Sequence, residues 1–231
     1  MRAASLRYAA YVALSAACTL LLTSCGTTPT RVSTRKLPAY EAPIAKSDFQ
    51  NVRMTAYTHS ESDHLVYGSR NALGGQLRAA SPGVQSAAAT SSRSLESYLA
   101  PRKKKVTKYV KTKRGRKKVV VTEYVRPTVG SAASDWSRWP VGTYFRLLST
   151  GQIYKVDDYG WALSGRNTID LYQASRGDMN RWGVRREPIQ VLKWGSPSES
   201  LAVLTPRQHH KHIRRMVLSL QGLDAEAAAL E

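Results

Sequence analysis

Cysteine is nearly absent from this chain. Only Cys18 and Cys25 occur in 231 residues, both close to the first residue, which excludes a disulfide framework and any cysteine-ligated metal centre in the remainder. Long apolar runs are equally scarce. The one sustained run, Tyr8 to Leu22, is short for a comfortable membrane span. Acidic residues are in deficit, 16 Asp and Glu against 35 Lys and Arg, for a formal charge of +19. The length leaves room for one domain with a full core plus tails.

The excess charge is concentrated. Twelve Lys or Arg lie between Arg102 and Arg126 against a single acid, Glu123, so more than half of the net charge sits in one segment. Within it Val106, Lys108 and Val110, then Val119, Val121, Glu123 and Val125, alternate about a turn at Arg114-Gly115, which predicts a two-stranded β-hairpin. The preceding Ala79 to Ser97 is rich in Ala and Ser and reads as a flexible linker, with a short helix at Ser94 to Leu99.

At the N-terminus, Arg2 and Arg7 precede the apolar run, a pattern that suits a secretory signal. Leu22-Thr23-Ser24-Cys25-Gly26 follows and resembles a bacterial lipobox. That resemblance implies a signal peptide over 1–24, lipidation of Cys25, and residence in the cell envelope. Gly26 favours the periplasmic face of the outer membrane. Residues 25–50, with Pro29, Pro38 and Pro43 and no apolar period, read as a poorly ordered tether.

Between Ala132 and Tyr172 three aspartates, Asp135, Asp158 and Asp170, occupy separate strand-and-turn contexts. Asp135 stands in Ala133-Ser134-Asp135-Trp136-Ser137-Arg138-Trp139-Pro140-Val141-Gly142-Thr143 and reads as an acid entering the strand that starts at Tyr144. Asp157 and Asp158 end the strand from Ile153, ahead of Gly160, whose freedom permits a tight turn. Asp157 reads as an acid that only accepts backbone N–H bonds, and Asp135 is as consistent with that role as with a catalytic one. Asp170 lies inside the apolar strand Ile169 to Tyr172, where a carboxylate is costly unless partnered or functional.

These segments resemble the three-aspartate (3D) domain family, related to the C-terminal part of membrane-bound lytic transglycosylase A. The matching elements are A-x-D-x4-P-x-G-T at Ala133 to Thr143, D-x-G-x-A-x-x-G at Asp158 to Gly165, and I-D-x-Y at Ile169 to Tyr172. Met54 to Thr58 resembles the family's first strand, and Met179 to Arg185 followed by Ile189 to Leu192 resembles its helix, turn and closing strand. Departures occur at Tyr159 and Trp161, where the family more often has Thr and Gly, and at Ser164, where Lys is common.

The resemblance implies a mainly β protein: a six-stranded double-psi β-barrel over 51–195, interrupted by an insertion at 79–128 that carries the basic hairpin. A C-terminal helical tail, 196–231, carries an amphipathic helix with Ile213, Met216, Val217, Leu220 and Leu223 at helical spacing. The resemblance also implies cleavage of O-glycosidic bonds in peptidoglycan, with Asp170 as general acid and then base, and Asp158 and Asp135 beside it. Tyr57, Tyr159, Gly160 and Trp161 are the expected substrate contacts. Tyr159 and Trp161 are equally consistent with capping the barrel core.

No cofactor or metal is expected. His209, His210 and His212 lack accompanying acids, and His59, Glu61, Asp63 and His64 suit hydrogen bonding better than zinc. The expected partners are peptidoglycan strands, a membrane through Cys25, and anionic envelope polymers attracted to the hairpin, but not nucleic acid, which an exported protein rarely meets. A solvated hairpin edge whose lysines block aggregation is the plainer alternative. For the whole chain, the alternative is a non-catalytic wall-binding or scaffolding lipoprotein.

Overall fold

The computed structural model describes residues 35–62, 64–82 and 94–230. The expected signal segment 1–24, Cys25, Asp63 and most of the Ala/Ser-rich linker lie outside these residues. In chain order the elements are β1 (Phe49–Tyr57), α1 (Leu95–Leu99), β2 (Arg102–Thr112), β3 (Gly115–Val125), β4 (Gly130–Ser134), β5 (Tyr144–Leu147), β6 (Ile153–Asp158), β7 (Thr168–Tyr172), α2 (Arg176–Trp182), β8 (Arg185–Lys193), α3 (Pro197–Leu204), α4 (Lys211–Leu220) and α5 (Asp224–Ala229).

Six strands close into a barrel in the order β1-β7-β4-β6-β5-β8. Two neighbouring pairs are parallel, β1 with β7 and β4 with β6, and the other four are antiparallel. Alternation along each strand decides what fills the interior. Val52 and Met54 of β1, Ile169 and Leu171 of β7 and Val156 of β6 join one buried cluster with Phe145, Leu147, Ile189 and Val191. Truncating one of them, as in Leu171→Ala, is expected to cost about 2–5 kcal/mol. Gly130 is required by packing, because a Cβ there would lie 2.5 Å from the ring of Tyr154.

Asp135 follows a strand instead of entering one. β4 ends at Ser134 and a buried turn runs from Asp135 to β5, with the Trp136 and Trp139 rings fully enclosed. The short helix α1 forms where the Ser94 cap places it. β2 and β3 pair in register from Arg102↔Val125 to Thr112↔Gly115 as a separate two-stranded sheet. Ser81 and Thr128 hydrogen-bond each other, so the chain leaves and returns at one point.

Two regions differ from the sequence reading. Residues 35–48 lie against the barrel, although they read as a loose tether. Leu37 is buried, Glu41 bonds Arg53 at 2.7 Å and the Asn167 amide at 2.6 Å, and the Tyr40 hydroxyl donates to Asp224 at 2.6 Å. The C-terminal region is also no single-helix tail. It forms α3, α4 and α5, and Leu204, Ile213, Met216 and Val217 extend the main core. Arg215 fastens the two regions together from a fully buried position: its guanidinium donates to the carbonyls of Pro38, Ala227 and Leu230. A cation embedded at Ile213-spaced positions gives no sequence sign of such a role. Among the described residues no helix is long and apolar enough to cross a membrane.

Candidate functional site

The register of four adjacent strands sets one row of side chains. Asp158 of β6 pairs with Ala133 of β4, Ala133 pairs with Asp170 of β7, and Asp170 pairs with Thr55 of β1. Directly opposed residues share a face, so these side chains stand together on the outer side of the barrel wall, opposite Ile169 and Leu171. The backbones of Asp158 and Asp170 are two strands apart, about 10 Å. Tyr57 and Tyr172, two residues further along β1 and β7, are paired on the same face with ring centres 5.6 Å apart.

A β-bulge places the first acid. The register of β4 against β6 shifts between Ala132 and Ala133, so Val156 opposes Ala132, Asp158 opposes Ala133, and Asp157 is the extra residue. Asp157 accepts from the side chains of Asn71 (2.9 Å) and Ser131 (3.0 Å), not from backbone amides alone. Asp158 is 5 % exposed; one oxygen accepts from the Tyr57 hydroxyl at 3.0 Å, the other from the amides of Ala72 (3.1 Å) and Tyr159 (3.0 Å). Asp170 is half-buried and accepts from the Thr55 hydroxyl at 2.7 Å.

Both carboxyls are pushed up to about 7 from an ordinary 3.8, and burial is the main cause in each. For Asp158 the amide and hydroxyl donors oppose burial and Asp157 adds to it; for Asp170 the Thr55 hydroxyl opposes it and Glu61 adds to it. The covering groups are not Ile169 and Leu171, which face inward. They come from loops: Leu77, Ala79 and Leu163 pack on the outer face around Tyr57, Ala133 and Tyr172. The Tyr57 hydroxyl is held well above its usual range by burial and by Asp158, so it remains a proton donor.

His59 Nδ1 lies 2.7 Å from the Tyr172 hydroxyl, and the His64 ring sits 4.9 Å from that of Tyr57. Thr55 joins the site although no motif singled it out, whereas Tyr172 closes the I-D-x-Y element and His59 makes a hydrogen bond of the kind the sequence suggested. Their period-two spacing from Tyr57 and Asp170 is the signal that finds Thr55 and Tyr172.

Asp135 stands apart. It is 1 % exposed; one oxygen accepts from the Ser137 amide (2.8 Å) and hydroxyl (2.6 Å), and the other accepts from the Gly165 amide at 2.6 Å. Arg138 lies 3.9 Å from it and donates to the carbonyls of Gly165 and Glu41. Burial still lifts the Asp135 carboxyl above its ordinary value. Gly165 is left-handed, at φ +75°, whereas Gly160 is extended, and the turn that starts there, closed by the Leu163 amide on the Gly160 carbonyl, makes no use of glycine's freedom.

Tyr159 stacks edge-on against Trp136 at 5.0 Å and its hydroxyl accepts from Arg207, while the Trp161 ring is covered by the Arg35 guanidinium at 4.0 Å. The structure thus brings Tyr57, Asp158 and Asp170 together and gives Asp135, Tyr159 and Trp161 partners elsewhere. Among the described residues no His, Cys, Asp or Glu cluster has metal-binding geometry. Comparison with known proteins identifies no family: no family model and no curated protein sequence matches the chain.

Proposed function

We propose that this protein cleaves O-glycosidic bonds of peptidoglycan by lytic transglycosylation, as an envelope lipoprotein anchored through Cys25, on a barrel of the double-psi type with the basic hairpin as an insertion. The observation that carries this reading is the row Asp158-Ala133-Asp170-Thr55, which holds two acids on one face with carboxyls near neutrality. The interleaved strand order with two parallel pairs supports the fold assignment.

Asp170, protonated in a large fraction of molecules at neutral pH, gives its proton to the glycosidic oxygen as the C1–O bond breaks. The same carboxylate then takes the proton of the muramic acid O6 hydroxyl as that oxygen bonds C1, which closes a 1,6-anhydro ring and regenerates the acid. Thr55 orients Asp170 through its hydrogen bond. Asp158, steadied by Tyr57, supplies negative charge beside the cationic sugar, or activates water if the reaction is hydrolysis. Asp135 acts by holding the Gly165 turn, not by touching sugar.

The test is mass analysis of purified glycan strands after incubation with the protein. Anhydro ends support transglycosylation, and reducing ends indicate hydrolysis with Asp158 as a second working carboxyl. Absence of cleavage favours a non-catalytic wall-binding lipoprotein, a reading that draws on one observation: Tyr159 and Trp161 have their rings engaged within the fold.

A further inference from the structure

The β2–β3 register divides the hairpin into two unlike faces. One carries Val106, Val119, Val121 and Glu123, all half-buried, together with Lys108, which bonds Glu123 at 2.5 Å. Glu123 is the hairpin's single acid, so whatever charge compensation the ribbon has lies on this side.

The other face is exposed at every position. Its cross-strand pairs run Lys103↔Tyr124, Lys105↔Thr122, Thr107↔Val120, Tyr109↔Lys118 and Lys111↔Arg116. Five cations therefore stand on one side without an acid among them. Tyr109 and Tyr124 are 66 % and 67 % exposed, and Lys103 lies over the Tyr124 ring at 5.9 Å.

We infer that this tyrosine-bearing face is a docking surface for an anionic phospholipid bilayer. Complementarity of charge and of shape both favour that occupant. The cations fall in two groups toward the ends of an open two-stranded ribbon, separated by the uncharged Thr107↔Val120 pair, and the ribbon has no walls to grip a single polymer strand. A plane of phosphate headgroups meets both groups at once. Tyrosine, apolar in its ring and polar at its tip, suits the headgroup boundary beside them. Each Lys near an anionic surface adds attraction that salt screens. The inference shares the envelope location of the proposed function but is independent of the glycan chemistry, so failure of either leaves the other standing.

The experiment measures partitioning of the full chain carrying Cys25→Ser, which excludes any acyl contribution, onto vesicles containing phosphatidylglycerol and onto pure phosphatidylcholine vesicles. The readout is the ratio of the two, because binding by apolar segments is common to both. Lys105→Gln with Lys118→Gln on the tyrosine face should lower the ratio by about 30-fold at low salt. Lys104→Gln with Lys117→Gln on the opposite face removes the same charge and should lower it far less, with circular dichroism showing both proteins folded. Equal losses from the two variants would overturn the facial assignment. A wild type without preference for anionic vesicles that still binds polyphosphate or an oligonucleotide would overturn the bilayer in favour of a soluble polyanion.

Discussion

Asp135 is enclosed and Asp170 half-buried, and their surroundings differ in kind. Asp135 is held on both sides: three donors converge on its two oxygens and Arg138 lies beside it. Asp170 has one side-chain donor, Thr55, and its burial comes from loops laid over a barrel wall. A buried carboxyl with donors on both oxygens is a structural fastener, because moving or protonating it orphans those donors. A buried carboxyl with few donors retains a proton near neutrality and can pass it on. Asp158 lies between the two, with three donors and an acidic neighbour, Asp157.

The same substitution should separate them. Asp135→Asn turns an NH2 group toward the amide of either Gly165 or Ser137, setting donor against donor, and leaves Arg138 without its counter-charge. The expected loss is about 3–5 kcal/mol by chemical denaturation. A fully stable Asp135→Asn protein would show that the turn does not depend on the carboxylate. Asp170→Asn keeps its bond from Thr55 and should fold normally while glycan cleavage falls about 10²-fold or more. Cleavage retained by a folded Asp170→Asn protein would remove Asp170 from the chemistry. Asp158→Asn should fall by a similar factor if it is a working carboxyl and by less if it positions the site.

Stability against pH sharpens the contrast. The folded values of Asp158 and Asp170, about 7, lie above the ordinary 3.8 of an unfolded chain. Below about pH 4 both states are protonated and these groups impose no penalty. As pH rises toward 7 the unfolded chain releases protons that the folded chain keeps, so folding stability falls, by a total on the order of a few kcal/mol. Denaturation midpoints between pH 4 and 8 should show that decline, and Asp170→Asn should flatten it. An unchanged slope in the variant would mean that other groups set the pH dependence.

A smaller effect is expected at Tyr57, whose hydroxyl stabilises the charged form of Asp158. Tyr57→Phe should move the Asp158 titration upward, read from its carboxyl carbon shift by NMR, with a stability change of about 1 kcal/mol. The smallest effect belongs to the hairpin. Its end residues Arg102 and Val125 are paired neighbours, so replacing it with a short Gly-Ser link should change barrel stability by under about 1 kcal/mol in calorimetry. A large loss would mean that the barrel leans on it.

Much of the local structure was legible in the chain. The alternation of valines and lysines marked both hairpin strands, Ser94 to Leu99 read as the short helix that forms as α1, and Ile169 to Tyr172 read as a strand with one acid in it. These follow from periodicity and capping, which act between near neighbours. The bulge that turns Asp158 onto the face of Asp170, the loops that bury both, and the three donors that claim Asp135 depend on residues up to about a hundred positions away, such as Tyr57 with Asp158. So do the docking of residues 35–48 and the buried Arg215 that holds it. By itself the sequence determined which positions carry acids and, for Asp170 between the inward-facing Ile169 and Leu171, which face of the strand it takes, because side-chain direction alternates with the backbone. Only the tertiary structure decided how much water each acid loses and how many donors it gains in return, because both are set by whatever segments the fold brings overhead.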